Sequence, residues 1–467
     1  MRGKPMNRRH LLAAGVAATS IWIGPAGAET LIDALVDTYN SHPQILAERS
    51  NLRAVDEGVP QALSGWRPTV TVTGSVGPQQ TAGQPPSPVV PNFASITKTA
   101  DVNITEQVFN GGKTVAQTAQ AEKNVAAERA RLIATEETVF LSVIQAYLDV
   151  VRDQATLDLA INNEQVLRKQ LEATSDQFRV GSVTRTDVAQ AEARLAAATA
   201  SRLQAEGNLQ VSRANYERAV GHPPGKLAQP AIHPVLPVSR EDAVHLAATN
   251  NPNVVAAVFT EDAARDQVDI ARSQLLPTVS IIGDANRQVD TAFPNHETTT
   301  GSLIARVTVP LYEGGAVYSQ TRQAQQVVGQ RFSQTDDARR AAVQAATQAF
   351  EQVTSDRAQA ISLRSTIKAA EIALEGVRQE ATVGSRTVLD VLNAEQELFT
   401  DRVQLVTNQH DLALAEFTLS QQIGQLTALD LRLPVKLYDA DQHYRSVRQK
   451  WLGFGAKNGE DGAAQRR

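Results

Sequence analysis

The chain has 467 residues, of which 42% are hydrophobic, only 4% are aromatic and none is cysteine. The missing cysteines exclude disulfides, thiolate metal sites, a nucleophilic cysteine and an acylated N-terminal cysteine. The formal net charge is −5, and the 45 basic and 50 acidic residues are interspersed, which disfavours an extended basic surface for nucleic acid. The many alanine, glutamine and leucine residues favour long, closely packed helices.

The first 28 residues have the composition of a bacterial secretory signal peptide. Four basic residues and no acidic ones precede an apolar run from Leu11 to Ile23, and an Ala-Gly-Ala cleavage site ends at residue 28. Residues 7–12 also resemble a twin-arginine signal, so both export routes stay open. The apolar run is too short to span a bilayer as a helix, and no longer one follows, which excludes a helical membrane protein.

The rest of the chain contains an internal repeat, the first feature to establish because it decides the fold. Residues 30–74 align without a gap with residues 239–283, an offset of 209. From the glycine pair at 111–112 onward the offset is 203, so this pair matches the one at 314–315. The extra residues of the first copy fall between 78 and 91, a stretch rich in Pro, Gln and Ser, which predicts an exposed loop.

This repeat predicts how the chain is divided. After the signal peptide we expect a first repeat at 29–238, a second repeat at 239–452 that ends in a C-terminal equatorial segment, and a disordered tail at 453–467, rich in Gly, Lys and Glu. Each repeat is expected to contain helices, then a strand pair, then two long helices. The long helices are predicted at about 113–220 and about 316–423.

The long helices are predicted from proline placement and apolar spacing. Proline is missing from 92 to 222 and from 311 to 433, and each stretch begins with an uninterrupted segment, Lys113 to Arg179 or Ala316 to Thr382. At 1.5 Å per residue, either segment makes a helix of roughly 100 Å. Apolar residues recur at spacings of three and four over several heptads, which indicates a coiled-coil seam.

Each long helix is followed by a turn with a recognisable signature. Glycines at 181 and 384 suit the left-handed residue that ends a helix. A threonine followed three residues later by an aspartate is the capping-box pattern that starts the next helix, and it occurs in Thr184 with Asp187 and in Thr387 with Asp390. The chain is therefore predicted to double back antiparallel beside the long helix.

Two pairs of alternating strands precede the long helices, at about 69–109 and about 278–311. In the first strand Val70, Val72 and Val76 fall on one face, and threonine and serine fall on the other. Such strands suit a transmembrane β-barrel wall, although a soluble sandwich would give the same alternation. Four strands per chain cannot close a barrel, which needs about eight. Either several chains pool their strands, or these strands are the edges of another structure.

In this order, the features resemble the TolC family of outer-membrane exit ducts. The resemblance covers nearly the whole mature chain and is carried by residues 108–112 (Val-Phe-Asn-Gly-Gly), 309–315 (Val-Pro-Leu-Tyr-Glu-Gly-Gly) and, most specifically, 382–394 (Thr-Val-Gly-Ser-Arg-Thr-Val-Leu-Asp-Val-Leu-Asn-Ala). It implies a mixed α/β membrane protein. Four strands from each chain of a homotrimer would form one 12-stranded barrel, continued by an antiparallel α-helical coiled-coil tunnel.

The resemblance also implies a function and partners. The protein would be a passive channel in the outer membrane of a Gram-negative bacterium, extending into the periplasm and surrounded by outer-membrane lipid. It would dock on a periplasmic adaptor protein bound to an inner-membrane transporter of the RND or ABC type, for efflux of drugs or toxic compounds or for type I secretion of proteins. No cofactor, nucleic acid or enzymatic activity is implied. The alternative is a secreted coiled-coil fibre without a pore, which would not need two matched strand pairs.

The turn at the end of the second long helix carries the sharpest functional hypothesis. The resemblance assigns the periplasmic aperture and gate to five residues: Arg386, Asp390, Asn393, Thr186 and Asp187. Asn393 stands where the family can have a second ring aspartate, and Ala381 stands where it can have a gate tyrosine. Helix capping alone would also place both aspartates here. Arg386 is predicted to pair either with Asp390 or with the turn at 186–187.

Two further groups of residues follow from the resemblance. Adaptor docking is expected at the two glycine turns, formed by Val180, Gly181, Ser182, Val383, Gly384 and Ser385. Phe109 and Tyr312, equivalent across the repeat, are expected where strand becomes helix, as in an aromatic girdle at a membrane interface, although ordinary packing explains them nearly as well.

Nucleotide and metal chemistry find no support in the sequence. Gly112-Lys113-Thr114 follows a strand and opens a helix, as a phosphate-binding loop would, but Gln107 stands where that motif needs glycine. The histidines never fall at zinc-ligand spacings, so neither a metal site nor a catalytic site is predicted.

Overall fold

The computed structural model describes residues 29–81, 93–230, 232–291 and 295–454. The predicted signal peptide, most of the predicted loop at 78–91 and residues 455–467 of the predicted tail lie outside these ranges. Along the described chain, the two halves have the same succession of two or three shorter helices, two strands and two long helices.

The elements of the first half begin two residues after the predicted cleavage site. They are α1 (Leu31–Ser41), α2 (Pro43–Asp56), α3 (Gly58–Leu63), a 3-10 turn (Ser64–Trp66), β1 (Thr69–Thr81), β2 (Phe93–Asn110), α4 (Lys113–Arg179) and α5 (Arg185–Val220). The elements of the second half are α6 (Arg240–Asn250), α7 (Pro252–Ser273), β3 (Thr278–Val289), β4 (Glu297–Thr308), α8 (Ala316–Thr382), α9 (Val388–Gln422) and α10 (Ala440–Val447).

Helices α4 and α8 each contain 67 residues and have the bounds predicted from the glycine landmarks. Each begins after a glycine in the left-handed region, Gly112 at φ +83° and Gly315 at φ +82°. Helix α5 packs antiparallel along α4, α9 packs along α8, and α7 lies between the two long helices. None of the helices in the described ranges combines the length and apolar character needed to cross a membrane.

The seams between these helices are lined largely by alanine, which lets long helices approach closely over many turns. Ala346 and Ala243 are completely buried, and Ala160 of α4 and Ala360 of α8 are also buried. Larger side chains are concentrated in one cluster at mid-length of α4, formed by Tyr39, Phe140, Tyr147, Tyr216 and Phe417 together with aliphatic neighbours. Burying a large apolar side chain contributes about 1.5–3 kcal/mol, so this cluster is the main core.

The four strands form one antiparallel sheet in the order β1-β2-β3-β4. One row across the sheet places Val70 opposite Ile104, Ile104 opposite Gly283, and Gly283 opposite Leu303. Adjacent rows carry mostly threonine, asparagine and aspartate, interrupted by Ile282 and Ile304, so one face is more apolar than the other. Both β1 and β4 are edge strands. The second strand pair was predicted to reach residue 311, but β4 ends at Thr308, before Pro310, which cannot donate to a strand ladder.

Two neighbouring glutamates of α4 fix the chain where it leaves α9. Glu136 Oε1 accepts a hydrogen bond from the backbone N–H of Ala428 at 2.7 Å, and Glu137 Oε1 accepts one from Leu426 at 3.2 Å. Glu137 is almost completely buried. Burial raises the pKa of Glu137 from its usual 4.5 to about 8, so its carboxyl is protonated in the folded chain at neutral pH.

Glu137→Gln should make the fold more stable than wild type, by a margin that grows as the pH rises. Between pH 4.5 and about 8 only the folded chain keeps the proton, so wild-type stability falls across this window, by up to about 1.4 kcal/mol per pH unit. Glutamine keeps an acceptor for Leu426 without the charge. Thermal midpoints at several pH values measure the effect. Glu375→Gln, at an exposed position of α8, is the control, and parallel curves for wild type and Glu137→Gln would contradict the prediction.

Candidate functional site

The two long helices end in turns of the same geometry. Gly181 has φ +81°, and its N–H donates to Phe178 O at 2.9 Å, while the N–H of Ser182 donates to Gln177 O at 2.9 Å. These two bonds form a Schellman motif, which needs a left-handed residue that glycine adopts without strain. The second turn repeats it at Gly384, with φ +78°. The predicted helix-ending role of both glycines is confirmed.

A capping box starts the next helix in each half, as the Thr-x-x-Asp pattern predicted. In α5, Asp187 Oδ2 accepts hydrogen bonds from the N–H and the hydroxyl of Thr184, both at 2.8 Å. In α9, Asp390 Oδ2 accepts the same pair from Thr387 at 2.9 and 2.8 Å. These bonds favour the ionised carboxylate and lower the pKa of both aspartates, so both carry their charge at neutral pH.

Arg386 has a partner that the sequence analysis did not consider. Its Nε donates to Glu380 Oε2 at 2.9 Å, rather than to Asp390 or to the turn at 186–187. The Schellman turn folds the chain back so that residue 386 lies over the last turn of α8. The Glu380 carboxylate raises the pKa of Arg386. The bond stays within one hairpin, so within one chain it does not connect the two hairpins.

Near the tip, the two hairpins are connected instead by Arg194, a residue that was not predicted from the sequence. Its Nη2 on α5 donates to Asn393 Oδ1 on α9 at 2.8 Å. Directly beside it, Leu392 is almost completely buried against Leu167 and Ala191. The sequence did contain an indication of this role. Arg194 lies seven residues, or about two helical turns, after Asp187 and therefore shares its face of the helix.

Each hairpin is also locked internally by buried carboxylates above the turn. In the first hairpin, Glu164 is buried and accepts from Arg202 at 2.6 Å and from Arg168 at 2.8 Å. In the second, Glu395 is buried and pairs with Arg378. Removing one partner of a buried pair leaves an uncompensated charge, so these pairs hold each hairpin together as a unit. Near the tip, the bond from Arg194 to Asn393 is a weaker connection between the hairpins, which are also joined farther from the tip, where His410 of α9 lies 3.0 Å from Asp149 of α4.

The predicted docking turns present apolar side chains to solvent. Val180 and Val383, at matching positions of the two turns, are 81% and 79% exposed. The hydroxyls of Ser182 and Ser385 bond inward to backbone carbonyls, at 3.0 and 2.9 Å. Each turn is therefore held by internal hydrogen bonds, and its valine faces the solvent. Thr186 is exposed nearby, at the start of α5.

The predicted interface aromatics differ in their local structure. Phe109 lies in β2, where the pairing with β3 is interrupted by a bulge, and its side chain is partly exposed. Tyr312 lies beyond the end of β4 and is largely exposed. Both are near the junction of the sheet with the long helices, but only Phe109 belongs to a strand.

The glycine-lysine-threonine turn at 112–114 has a structural explanation. Thr114 is completely buried, its N–H donates to Asn110 Oδ1 at 3.3 Å, and the Asn110 amide donates back to its hydroxyl at 2.5 Å. The threonine thus completes the start of α4. In the described ranges, no three histidine, aspartate or glutamate side chains converge to hold a metal ion.

An amphipathic four-stranded sheet continued by two helical hairpins of roughly 100 Å, with rigid turns at the far end, is the protomer architecture of a periplasm-spanning duct. The family model described as "Outer membrane efflux protein" matches residues 34–222 and 243–425. The chain belongs to this family. It is an exit duct in the outer membrane of a Gram-negative bacterium and extends into the periplasm, and the alternative of a fibre without a pore is set aside.

Individual comparisons agree with the family. The outer membrane efflux protein BepC of Brucella suis is 32% identical over 455 residues, which are 97% of this chain and 98% of that protein. The outer membrane protein TolC of Vibrio cholerae is 25% identical and covers 90% of this chain and 95% of its own. The crystal structure of VceC from Vibrio cholerae has a TM-score of 0.75 at 22% identity, covering 84% of this chain and 96% of that one. These relatives are channel proteins rather than enzymes.

Proposed function

We propose that three copies of the chain assemble into one duct, in which their sheets close a 12-stranded barrel in the outer membrane. The observation that carries this proposal is the four-stranded sheet with two open edges, β1 and β4. Unpaired backbone groups at a sheet edge cost several kcal/mol each in hydrocarbon, so a sheet that enters a membrane has to be closed. Edge-to-edge pairing with further copies satisfies both edges.

The apolar face of the sheet supports its position in the bilayer. Val70, Val72 and Val76 on β1 and Leu303 and Val307 on β4 are exposed in the single chain. All lie on one face, which would contact lipid, while the threonine, asparagine and aspartate of the other face line the lumen. The same element order in the two halves supports an origin by internal duplication, with the repeats divided near residue 238.

Below the sheet, the hairpins of three chains would form a helical tunnel. Its far end is the aperture, lined by Asp390 and Asn393 and bounded by Asp187, Thr186 and Arg386. Three copies of Asp390 around a threefold axis would form an acidic ring that attracts cations. The Arg194–Asn393 bond would then hold the inner helices α5 and α9 together in the resting state.

The exposed valines of the two tip turns are the proposed docking points for a periplasmic adaptor protein. Through the adaptor, the duct would work with an inner-membrane transporter of the RND or ABC type. The relative BepC is named for efflux, which favours export of drugs or toxic compounds over type I protein secretion for this chain. Co-purification of the inner-membrane partner with the duct would decide between these two systems.

Cysteine crosslinking tests the assembly, because the chain has no cysteine of its own. A chain carrying Val72→Cys on β1 and Leu303→Cys on β4 should give dimer and trimer bands, and nothing larger, with a flexible bismaleimide in isolated outer membranes. Val238→Cys, in the exposed linker before α6, is the control and should give far less product. A chain that stays monomeric and is released as a periplasm-soluble species would contradict the proposal.

A further inference from the structure

The chain that follows α10 exposes a short apolar segment, residues 451–454, which we call the C-terminal apolar segment. Trp451 is 64% exposed, Leu452 is 90% exposed and Phe454 is fully exposed. Two large aromatic rings and a leucine within four residues make a costly surface in water, in a chain with only 4% aromatic residues. Neither the tip nor the aperture uses this segment, so it needs an explanation of its own.

The path of α10 carries this segment to the level of the sheet. Asp441, at the start of α10, pairs with Arg129 of α4 at 2.6 Å. One residue after α10, Arg448 pairs with Glu122, seven residues closer to the start of α4, at 3.0 Å. Because α4 begins at Lys113 beside the sheet, the segment from Asp441 to Arg448 runs along α4 towards the strands.

Arg67 holds the segment at the base of the sheet. Its Nη1 donates to Lys450 O at 2.8 Å, and its guanidinium lies 5.0 Å from the centre of the Trp451 ring. A cation–π contact of this kind contributes about 0.5–1 kcal/mol at an exposed site. Arg67 is only two residues before Thr69, the first residue of β1. Trp66, next to it, is also partly exposed.

We propose that the C-terminal apolar segment is a membrane-interface anchor, which binds the phospholipid surface where the sheet leaves the bilayer on its periplasmic side. Tryptophan favours the level of the headgroups, where its ring meets acyl chains and its N–H meets polar groups. Through Arg67, which comes three residues before Val70, the segment is held near the end of the sheet where its apolar face begins. It would enter about 5–10 Å into the boundary between headgroups and acyl chains, as interfacial segments do.

Intrinsic fluorescence gives a direct test. The chain has three tryptophans, Trp22 in the predicted signal peptide, Trp66 and Trp451, so Trp66→Phe leaves Trp451 as the only one in the processed protein. This variant is reconstituted in vesicles of phosphatidylethanolamine and phosphatidylglycerol with a share of dibrominated lipid. Its emission should fall, and fall more when the bromines are near the headgroups than when they are near the chain ends. Acrylamide dissolved in the water should quench the Trp451 emission less in these vesicles than in the denatured protein without detergent.

Two outcomes would overturn the anchor. Strong acrylamide quenching without bromine quenching places Trp451 in water, and protection from both quenchers places it against another copy of the chain. The proposal rests on the sheet lying in the membrane, so an environment-sensitive dye on Val72→Cys is measured in parallel. If the dye reports lipid and Trp451 does not, the anchor alone fails. If neither reports lipid, the membrane position of the sheet fails as well.

A variant of Arg67, which holds the segment beside the sheet, separates anchoring from folding. Arg67→Ala removes the bond to Lys450 and the contact with the Trp451 ring, so bromine quenching of Trp451 should decrease while the Val72 dye still reports lipid. Val238→Ala, at an exposed valine far from the segment, is the matched control and should change neither signal. Unchanged bromine quenching in Arg67→Ala would contradict the role given to Arg67.

Discussion

Replacing both tip glycines by valine, Gly181→Val with Gly384→Val, is expected to abolish export while the protein still inserts into the outer membrane. Both glycines have φ near +80°, and a β-branched residue in this region costs at least about 1–2 kcal/mol at each turn. No atom lies within 4 Å of a Cβ built at either position, so the penalty comes from the backbone alone. The turn must change shape, and the exposed valines beside it then lose the positions proposed for docking.

Dye efflux from cells that depend on this duct, and the amount of crosslinked trimer in their outer membranes, measure the two effects separately. Gly376→Ala is the matched control, because Gly376 lies in the interior of α8 with open space around it. Alanine should stabilise that helix by about 1 kcal/mol and leave export intact. Normal efflux by the double valine variant would show that the adaptor docks elsewhere.

Arg194→Ala is expected to raise the conductance of the resting duct more than Arg386→Ala does. Arg194 bonds across to Asn393 on the other hairpin, whereas Arg386 bonds to Glu380 within its own hairpin. Loss of the first bond frees α5 from α9 at the proposed aperture. Loss of the second loosens one turn. Single-channel recordings in planar bilayers give both conductances.

Arg340→Ala, which removes an exposed i,i+4 pair with Asp336 on α8, serves as the control and should leave the conductance unchanged. An increase for Arg386→Ala that equals or exceeds the increase for Arg194→Ala would mean that, in the assembled duct, Arg386 holds a neighbouring chain. The assignment of the resting contact to Arg194 would then be wrong.

The same recordings distinguish a pore role for Asp390 from capping alone. Asp390→Asn removes the charge but keeps an oxygen that can accept the Thr387 bonds, so it should weaken cation preference and block by multivalent cations without melting α9. Asp187→Asn makes the same chemical change at the other capping box and should have a smaller effect. If Asp390→Asn leaves selectivity and block unchanged, Asp390 is only a capping residue.

Local features of the fold could be predicted from the sequence because they depend on neighbours along the chain. The bounds of α4 and α8, the left-handed glycines after them and both capping boxes follow from short patterns whose hydrogen bonds join residues at most five positions apart. The sequence from Pro43 to Leu63 predicts one helix of about 20 residues, yet α2 and α3 are separated at Glu57. Gly58 and Pro60 follow directly, and both residue types disfavour a helix interior, so this break also depends on neighbours along the chain.

The same distinction between local and distant contacts applies to the residues of the candidate site. Asp187 and Asp390 were found because each caps its own helix, and a capping box is visible in four consecutive residues. Arg194 was missed because its partner, Asn393, is 199 residues away. The partner of Arg386 was missed because the geometry of the turn, rather than the spacing on a helix, brings Glu380 beside it.

The sequence by itself predicted an export signal and two matched halves, and it determined the strand and helix order and the family resemblance, since each depends on residue type and spacing. Only the tertiary structure decided which hairpins are connected, which glutamates are buried and where the C-terminal segment lies. Glu137 is an ordinary surface-type residue of a helix until the turn after α9 covers it, and Trp451 is held beside the sheet by contacts with Arg67 and, through Arg448, with Glu122, both of which are more than 300 positions earlier in the chain. Contacts of that separation are set by how complete helices pack, because the periodicity of one helix contains no record of its neighbour.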